Sequence, residues 1–400
     1  MTMGRATVCF LSGARYAVPL DPTTARKFEL LGTLGEIHVI GFAAGAWPRR
    51  FDAGAHFYLL PALPGAGLRA VLFVVAGFLL ALWIVLRRGA SILIAQSPTH
   101  AMPAAAVKLT ARALGRRTAL VVESHGDFEE SVLLYRQVRW PAVARLLQRV
   151  AARIVFGGAD ALRAISTSTA AQLQRWAPGI PQVRFPTWTD IRPFHDIQAS
   201  RTADLLFAGA LAPVKGVHVL LRAFARIAAE HPESQLLIIG PAANPEYVRS
   251  LQDEILRLGL DGRAVIRPAV GQAELALEMG RARVLVVPSL SEGLGRVAIE
   301  AMAAGTPVVA SRVGGLPDVI QDGFTGFLVP PGDEDALSHH LDWMLDHPQE
   351  AEEMGRRGRS AAASLFSEGN YMRGYAALFE LATAAMNRHS GTDRGASQVR

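Results

Sequence analysis

The sequence predicts two doubly wound α/β domains, each built around a parallel sheet with helices on both faces. Short apolar runs alternate with longer helical patterns, and the alternation that begins at residue 7 begins again at residue 204. The chain has 400 residues, 50% of them apolar, which supplies two buried cores rather than one. Its one cysteine, Cys9, excludes a disulfide framework and a cysteine-rich metal site.

The elements of each domain follow from this alternation. In the first half, strands are predicted at 7–11, 37–41, 92–95, 119–123 and 162–166, and helices at 23–34, 101–114 and 140–156. In the second half, strands are predicted at 204–208, 235–240, 264–268, 284–288, 307–311 and 326–329. Pro186 and Pro193 interrupt regular structure. We therefore place the first domain at 1–195 and the second at 196–385, with the last helix packing back toward the first domain and a polar tail at 386–400.

Ligands of open α/β sheets bind at the carboxyl ends of the strands, so the loops that follow strands are the candidate sites. One such loop runs from Gly209 to Gly216, and Lys215 lies at the start of the next helix. A lysine there opposes the helix dipole, so its position favours a bound anion over an ordinary solvated side chain.

A second loop joins the strand at 284–288 to a helix that begins near Arg296. Glu300 lies one turn into that helix. The loop residues that precede the helix are Glu292, Gly293, Leu294 and Gly295. Glycines at a helix N-terminus let backbone N–H groups approach an anion, and ionised carboxylates accept hydrogen bonds from hydroxyl groups. This combination indicates a site for a phosphorylated ligand that is rich in hydroxyls.

The same glycines also fit the dinucleotide-binding pattern G-x-G-x-x-A, which runs here from Gly293 to Ala298. That motif belongs in the first βαβ unit of a domain, with an acidic residue after the next strand. Here it lies late in the second half, and the next strand is followed by Ser311 and Arg312. A dinucleotide oxidoreductase, with Arg312 at a 2′-phosphate, stays as a minor alternative.

Taken together, the two loops resemble those of the retaining glycosyltransferases of family 4, which have the GT-B fold. The Glu-x7-Glu element of that family corresponds here to Glu292 and Glu300, and its G-x-L-x-x-x-K-G element to Gly209 through Gly216. The resemblance is strong over residues 204–380. It is weaker over residues 1–200, where His125 after a strand fits the family layout.

The resemblance implies a nucleoside-diphosphate sugar as donor in the second domain and the acceptor in the first. It implies that Lys215 contacts the donor diphosphate, that Glu300 binds the ribose hydroxyls and that Glu292 binds the transferred sugar. Further implied donor-binding residues are Gly209, Gly293, Leu294 and Gly295. His125 would lie near the attacked bond, so the implied catalytic residues are His125, Lys215 and Glu292. The implied reaction retains the anomeric configuration and requires no cofactor and no metal.

Ala210 departs from the family pattern, which often has an arginine at that position. One positive charge on the leaving diphosphate is therefore missing there, and such charges stabilise the transition state. Three explanations stay open: Arg267 or Arg296 substitutes, the enzyme is slower, or the chain has lost its activity.

Residues after the first-domain strands are candidates for the acceptor cleft. His125 and Asp127 follow the strand at 119–123. The alternatives are a loop histidine satisfied by the backbone and an aspartate in the first turn of a helix. Arg15 and Tyr16 lie in a predicted loop at 12–20, which either lines the cleft or forms a plain βα turn.

Charge and hydropathy distinguish the first half. Residues 1–195 contain 22 Lys and Arg against 10 Asp and Glu, whereas residues 196–400 contain 19 against 25. The basic half favours an anionic partner, but nucleic acid is the weakest candidate because no motif for it occurs. Residues 70–86 carry no charge. A core helix of the first domain is preferred there, with a monotopic membrane contact and a spanning helix as alternatives.

We therefore predict a cytoplasmic glycosyltransferase that moves a sugar from a nucleoside diphosphate to a glycan or lipid-linked acceptor, in cell-envelope polysaccharide or glycolipid synthesis. Peripheral contact with the inner face of a membrane, through residues 70–86 and the basic first domain, belongs to this hypothesis. The alternatives are a non-catalytic glycosyltransferase-like subunit and a GT-B nucleotide-sugar epimerase.

Overall fold

The computed structural model describes residues 6–45, 47–98, 100–129, 141–195, 197 and 199–395. The chain divides into two compact units, the first comprising Met1–Trp188 with Glu368–Arg400 and the second Thr189–Ser367. The division lies after Trp188 rather than after the predicted residue 195. The last helix belongs to the first unit and continues to Gly395, so the predicted polar tail at 386–400 is helical over its described residues.

The first unit alternates strands and helices from its first described residue. Its elements are β1 (Ala6–Tyr16), α1 (Pro22–Leu34), β2 (Gly35–Ala43), β3 (Arg49–Asp52), β4 (His56–Leu60), α2 (Ala66–Arg88), β5 (Ile92–Ala95), α3 (Ala101–Ala113), β6 (Ala119–Ser124), α4 (Pro141–Gly158), β7 (Ala161–Ala164), α5 (Thr167–Trp176), β8 (Gln182–Arg184) and, from the end of the chain, α14 (Glu368–Gly395). The five predicted strands of this half are present, and β3, β4 and β8 were not predicted.

These strands form one sheet in the order β3-β4-β2-β1-β5-β6-β7-β8. All neighbours are parallel except β3, which runs antiparallel to β4 at the edge. Helices α2, α3 and α4 cover one face of the sheet, and α1 and α14 cover the other. The strand order reverses between β1 and β5, so the loops after these two strands flank the switch point at which ligands of such sheets bind.

Helix α2 contains the uncharged segment 70–86 and packs on the sheet through Phe73, Ala81 and Ile84. Among the described residues, Gly67–Arg88 is long and apolar enough to cross a membrane, and only 28% of its apolar window is buried in the protein, less than the preferred core helix would bury. The strands before and after α2 belong to the same sheet. A spanning α2 would place them on opposite sides of a bilayer, so the fold favours the predicted partly buried helix.

The second unit repeats the alternation in a smaller sheet. Its elements are α6 (Arg192–His195), β9 (Ala203–Ala208), a 3-10 turn (Pro213–Lys215), α7 (Val217–Ile227), β10 (Leu236–Ile239), α8 (Pro245–Arg257), β11 (Ala264–Arg267), α9 (Gln272–Arg281), β12 (Ala282–Val287), α10 (Arg296–Ala303), β13 (Val308–Ser311), α11 (Leu316–Val319), β14 (Gly326–Val329), α12 (Glu334–Asp346) and α13 (Pro348–Leu365). All six predicted strands of this half are present.

The six strands are parallel and lie in the order β11-β10-β9-β12-β13-β14. The chain starts at the centre with β9, moves outward to β11, and returns to place β12 beside β9, where Leu206 pairs with Leu285. The switch point of this sheet therefore lies between β9 and β12. The two loops that the sequence singled out are the loops that follow these two strands.

Candidate functional site

The two switch-point loops of the second unit are joined by close backbone packing. The N–H of Leu290 donates to the carbonyl of Val214 at 2.8 Å. Gly216 has φ +68°, and a Cβ there would lie 2.0 Å from the carbonyl oxygen of Pro288. The positive φ and the close approach both require glycine at position 216, because a side chain there would push the two loops apart.

Lys215 and Glu292, one from each loop, form an ion pair. The Lys215 Nζ lies 2.6 Å from Glu292 Oε2, and their side chains are only 19% and 14% exposed. The N–H of Gly293 donates to Glu292 Oε1 at 3.2 Å, and the hydroxyl of Ser289 lies 3.4 Å from Oε2. An ammonium group has three donors, so Lys215 can keep Glu292 in place and still bind an anion.

The second loop ends at α10, whose N-terminus has no side-chain cap. Gly295 precedes the helix with φ +85°. Glu300 is 9% exposed, and burial raises its pKa while Arg296, with Nη2 at 3.4 Å, opposes that rise. An uncapped helix N-terminus beside a shielded carboxylate suits a ligand that carries both a phosphate and hydroxyl groups.

A cavity of about 310 Å³ lies at this edge of the sheet. It is lined by Ala208, Gly209, Ile239, Gly240, Pro241, Ala269, Val270, Leu275, Arg296, Val297 and Glu300. This mostly apolar pocket, with Arg296 and Glu300 as its charged lining residues, has the size and character of a small-molecule site. The structure thus brings together Gly209 and Glu300 from the predicted set.

Four pocket residues, all in the loops after β10 and β11, escaped the sequence analysis. The loops after β10 and β11 contribute Pro241, Ala269 and Val270, which carry no polar signal in the sequence. A Cβ on Gly240 would lie 1.7 Å from the carbonyl oxygen of Gly209, so only glycine lets the loops after β9 and β10 approach this closely. Gly240 itself was the available signal, because it is the last residue of the strand predicted at 235–240.

Gly314 supports the Glu292 loop from a third strand end. It has φ +56°, and a Cβ there would lie 1.6 Å from the carbonyl oxygen of Glu292. Leu294 points inward and is 5% exposed, so its side chain anchors the loop while only its backbone remains for a ligand. The loop that carries Glu292 is therefore held by the close contact with Gly314 and by the buried Leu294 side chain.

The structure distinguishes the two arginines that were considered as substitutes at Ala210. Arg267 Nη1 lies 2.9 Å from Glu278, and its other amino group pairs with Glu274. Arg296 lines the cavity, and its side chain is 58% exposed. Arg296 is therefore the better placed of the two cations.

In the first unit, His125 follows β6 and is held from both sides. Its Nε2 lies 2.8 Å from Glu123 Oε2, and its Nδ1 lies 3.3 Å from the hydroxyl of Thr187. Burial lowers the pKa of His125, and the hydrogen bond to Glu123 opposes that shift. In the neutral ring, the Nε2–H donates to Glu123, which leaves Nδ1 as the acceptor.

Glu123 is the centre of a buried charge network that the sequence analysis missed. Arg163 Nη1 lies 2.9 Å from Glu123 Oε1, and the hydroxyl of Tyr375 donates to the same oxygen at 2.8 Å. Arg163 also donates to the carbonyl of Pro186 at 2.9 Å. Burial by itself raises the pKa of Glu123, but Arg163 and His125 outweigh it and hold the pKa well below its usual value.

Two acceptor candidates, Arg15 and Tyr16, lie in a strand rather than in the predicted loop. β1 extends to Tyr16, so the predicted loop at 12–20 is wrong over its first five residues. Tyr16 is 8% exposed and packs against Phe28 and Phe57, which makes it a core residue; burial raises its pKa to about 12. Arg15 is exposed at the end of the strand.

Asp127 lies in a second cavity of about 410 Å³, away from the β1–β5 switch point. Its Oδ1 accepts from the N–H of Glu129 at 2.8 Å and from Gln172 Nε2 at 2.7 Å. Asp127, Phe128, Glu129, Arg145, Gln148, Arg149 and Arg175 line this cavity. At the switch point itself, the Ser12 hydroxyl bonds Gln96 at 2.5 Å, and neither residue was singled out from the sequence.

Comparisons with known proteins bear on this arrangement. Residues 192–361 match the family described as glycosyl transferases group 1. The chain is 43% identical over 193 residues to the D-inositol 3-phosphate glycosyltransferase of Streptomyces scabiei, covering 46% of this chain and 42% of that protein. It is 33% identical over 249 residues to the MMP alpha-(1->4)-mannosyltransferase of Mycolicibacterium hassiacum, covering 62% and 59%. The matched region thus spans less than two thirds of these relatives.

Solved structures match over nearly the whole chain. The sucrose-phosphate synthase of Thermosynechococcus elongatus superposes with a TM-score of 0.76 at 23% identity, covering 95% of this chain and all of that one. HepE of Anabaena, solved in complex with UDP, superposes with a TM-score of 0.72 at 20% identity over 94% of this chain. At these identities, the likeness establishes the fold. Residues 192–361 thus match the glycosyl transferases group 1 family, and the two α/β units have the GT-B fold of these solved structures.

Proposed function

We propose that the protein is a retaining glycosyltransferase of family 4 that transfers a sugar from a nucleoside diphosphate to a glycan or lipid-linked acceptor. The observation that carries this proposal is the second-unit switch point. There the Lys215–Glu292 ion pair joins the loops after β9 and β12, and the cavity beside Glu300 includes the uncapped first turn of α10. That arrangement offers a cation for a diphosphate and carboxylates for sugar hydroxyls.

In this proposal the residues of the two loops and of α10 bind different parts of the donor. Lys215 binds the diphosphate, Glu292 binds the transferred sugar and Glu300 binds the ribose. The nucleoside occupies the cavity between the loops after β10 and β11. Arg296 rather than Arg267 supplies the charge that Ala210 does not, because Arg296 lines the cavity beside Gly209, whereas Arg267 is paired with Glu274 and Glu278. His125 acts on the sugar from the acceptor-binding unit, with Nδ1 as its hydrogen-bond acceptor.

The proposed reaction needs no metal. The bond between the anomeric carbon and the diphosphate oxygen breaks, and the acceptor oxygen bonds that carbon on the same face. The acceptor proton leaves with the diphosphate, whose charge Lys215 and the helix N-terminus stabilise. Among the described residues, His231, Asp342 and Asp346 have ligand atoms close enough for a metal ion. They lie at α12 and the loop after α7, outside the pocket.

A lipid-linked acceptor fits the basic first unit and the outward aliphatic side chains of α2. We propose peripheral contact of residues 70–86 with the inner face of a membrane, and a cytoplasmic location for the rest of the chain. The name of one relative contains a polyol phosphate, D-inositol 3-phosphate, and a phosphorylated acceptor of that kind fits the basic first unit of this protein as well.

The test is release of nucleoside diphosphate from a panel of UDP-, GDP- and ADP-sugars by purified protein, with membrane extract as the source of acceptor. We expect release from one donor and loss of at least about 100-fold in Glu300→Ala. Glu233→Ala, which changes an exposed carboxylate of the same unit, is the matched control. EDTA should leave the rate unchanged, and NMR of the product should show retained configuration.

Three results would refute parts of this proposal. Donor binding without release, even with acceptor present, would identify the non-catalytic subunit that Ala210 suggested. Conversion of the donor sugar without any acceptor would identify an epimerase. A Glu300→Ala variant that binds and turns over donor as the parent does would remove the assigned pocket.

A further inference from the structure

Helix α4 carries an apolar stripe on the side that faces away from the sheet. Its outward residues Val143, Leu146, Leu147, Val150 and Ile154 are 46–64% exposed and recur at helical spacing. The opposite side of the same helix is buried in the core through a separate set of small and aromatic residues. A helix of a soluble domain normally turns polar side chains outward, whereas among the described residues this apolar stripe is left facing outward.

Helix α2 likewise has an exposed apolar side and a buried side. Leu68, Val71, Val75 and Leu79 are 54–62% exposed on one stripe, while the opposite stripe packs on the sheet. Helix α3 packs between α2 and α4, and its Leu109 is 71% exposed. Because all three helices cover one face of the sheet, their outward stripes point to the same side of the unit.

The charges of these helices are of one sign. There are three Arg on α2, a Lys and an Arg on α3, and three Arg on α4, and the sequences of the three helices contain no Asp or Glu. On α4, Arg145, Arg149 and Arg153 are all exposed beside the aliphatic stripe. Aliphatic side chains flanked by arginine complement the acyl chains and anionic headgroups of a bilayer surface.

We propose that α2, α3 and α4 together form a docking face for an anionic bilayer surface. This inference rests on the proposed membrane contact of residues 70–86 and extends it to two further helices. Each helix lies in the interface with its outward stripe among the headgroups, and its inner stripe stays on the sheet. Docking of this kind is reversible, and its strength depends on lipid charge and on salt.

The test is cosedimentation of the full-length protein with phosphatidylcholine vesicles and with vesicles of phosphatidylcholine and phosphatidylglycerol at 3:1. We expect binding to the anionic vesicles at 50 mM NaCl and release at 500 mM NaCl. The double variant Leu146→Gln/Leu147→Gln should bind at least about tenfold less. Leu256→Gln, at an equally exposed leucine of α8 in the second unit, should bind as the parent does.

Other outcomes would overturn the inference. Equal binding by the α4 double variant and the Leu256 control would remove α4 from the face. A parent protein that dimerises through Leu146 and Leu147 without binding vesicles would show that a second copy covers the stripe. Nucleotide release by a parent that binds no vesicles would refute docking and leave the proposed function standing. Vesicle binding without nucleotide release from any donor would support docking and refute the proposed function.

Discussion

Replacement of Arg163 by methionine tests the account of the buried charge network in the first unit. The Arg163 side chain is 1% exposed, and the Glu123 side chain is fully buried. Arg163→Met leaves the Glu123 carboxylate with Tyr375 and His125 as partners and removes the donor to Pro186. Breaking a buried pair by removing one partner costs about 3–5 kcal/mol of the free energy of unfolding. That is a large share of the 5–15 kcal/mol that is ordinary for a domain.

The double variant Glu123→Gln/Arg163→Met provides the internal comparison. It removes both charges, and the glutamine can still bond Tyr375 and His125. Its cost should be smaller than that of Arg163→Met by about 2 kcal/mol, because no uncompensated charge remains buried. Arg153→Met, at an exposed position of α4, should change stability by less than about 0.5 kcal/mol.

Urea unfolding followed by tryptophan fluorescence measures these differences in the first unit. Five of the six tryptophans lie in that unit, and Trp343→Phe removes the remaining signal from the second. The pKa of Glu123 is held below its unfolded value, so its contribution is present above pH 4.5 and is lost as the pH falls. The difference in the free energy of unfolding between the parent and Arg163→Met should therefore become smaller as the pH falls below 4.5. A cost below about 1 kcal/mol at pH 7 would refute the reasoning.

Two further predictions concern the candidate site residues. Gly314→Ala should weaken nucleotide binding at least about tenfold in calorimetry, because its Cβ would displace the Glu292 carbonyl. Gly323 also has a positive φ but open space around it, so Gly323→Ala should lower stability and leave nucleotide binding unchanged. Equal nucleotide binding by the two variants would contradict the proposed clash at Gly314. The folded-state pKa of His125 is lowered, so its contribution to stability is present above about pH 6.5 and is lost in acid. His125→Gln should therefore flatten the pH dependence of the urea midpoint below pH 6.5, and an unchanged slope would contradict a ring that stays neutral in the folded state.

The sequence by itself determined the second unit closely. Apolar runs bounded by glycine and proline marked each buried parallel strand, because such strands are hydrophobic on both faces. The loops with Lys215 and Glu292 stood out because glycines and charges together follow those runs. Local patterns also placed α1, α3 and α4 within two residues of their observed bounds.

The tertiary structure decided which of those residues meet. Strand order alone puts the loops after β9 and β12 side by side, and no sequence pattern states that order. Arg163 and Glu123 look like ordinary surface charges in the sequence, yet β6, β7 and α14 enclose them together. Tyr16 looked like a loop residue and is part of an aromatic core. Burial and pairing depend on contacts between distant segments, and local patterns carry no information about such contacts.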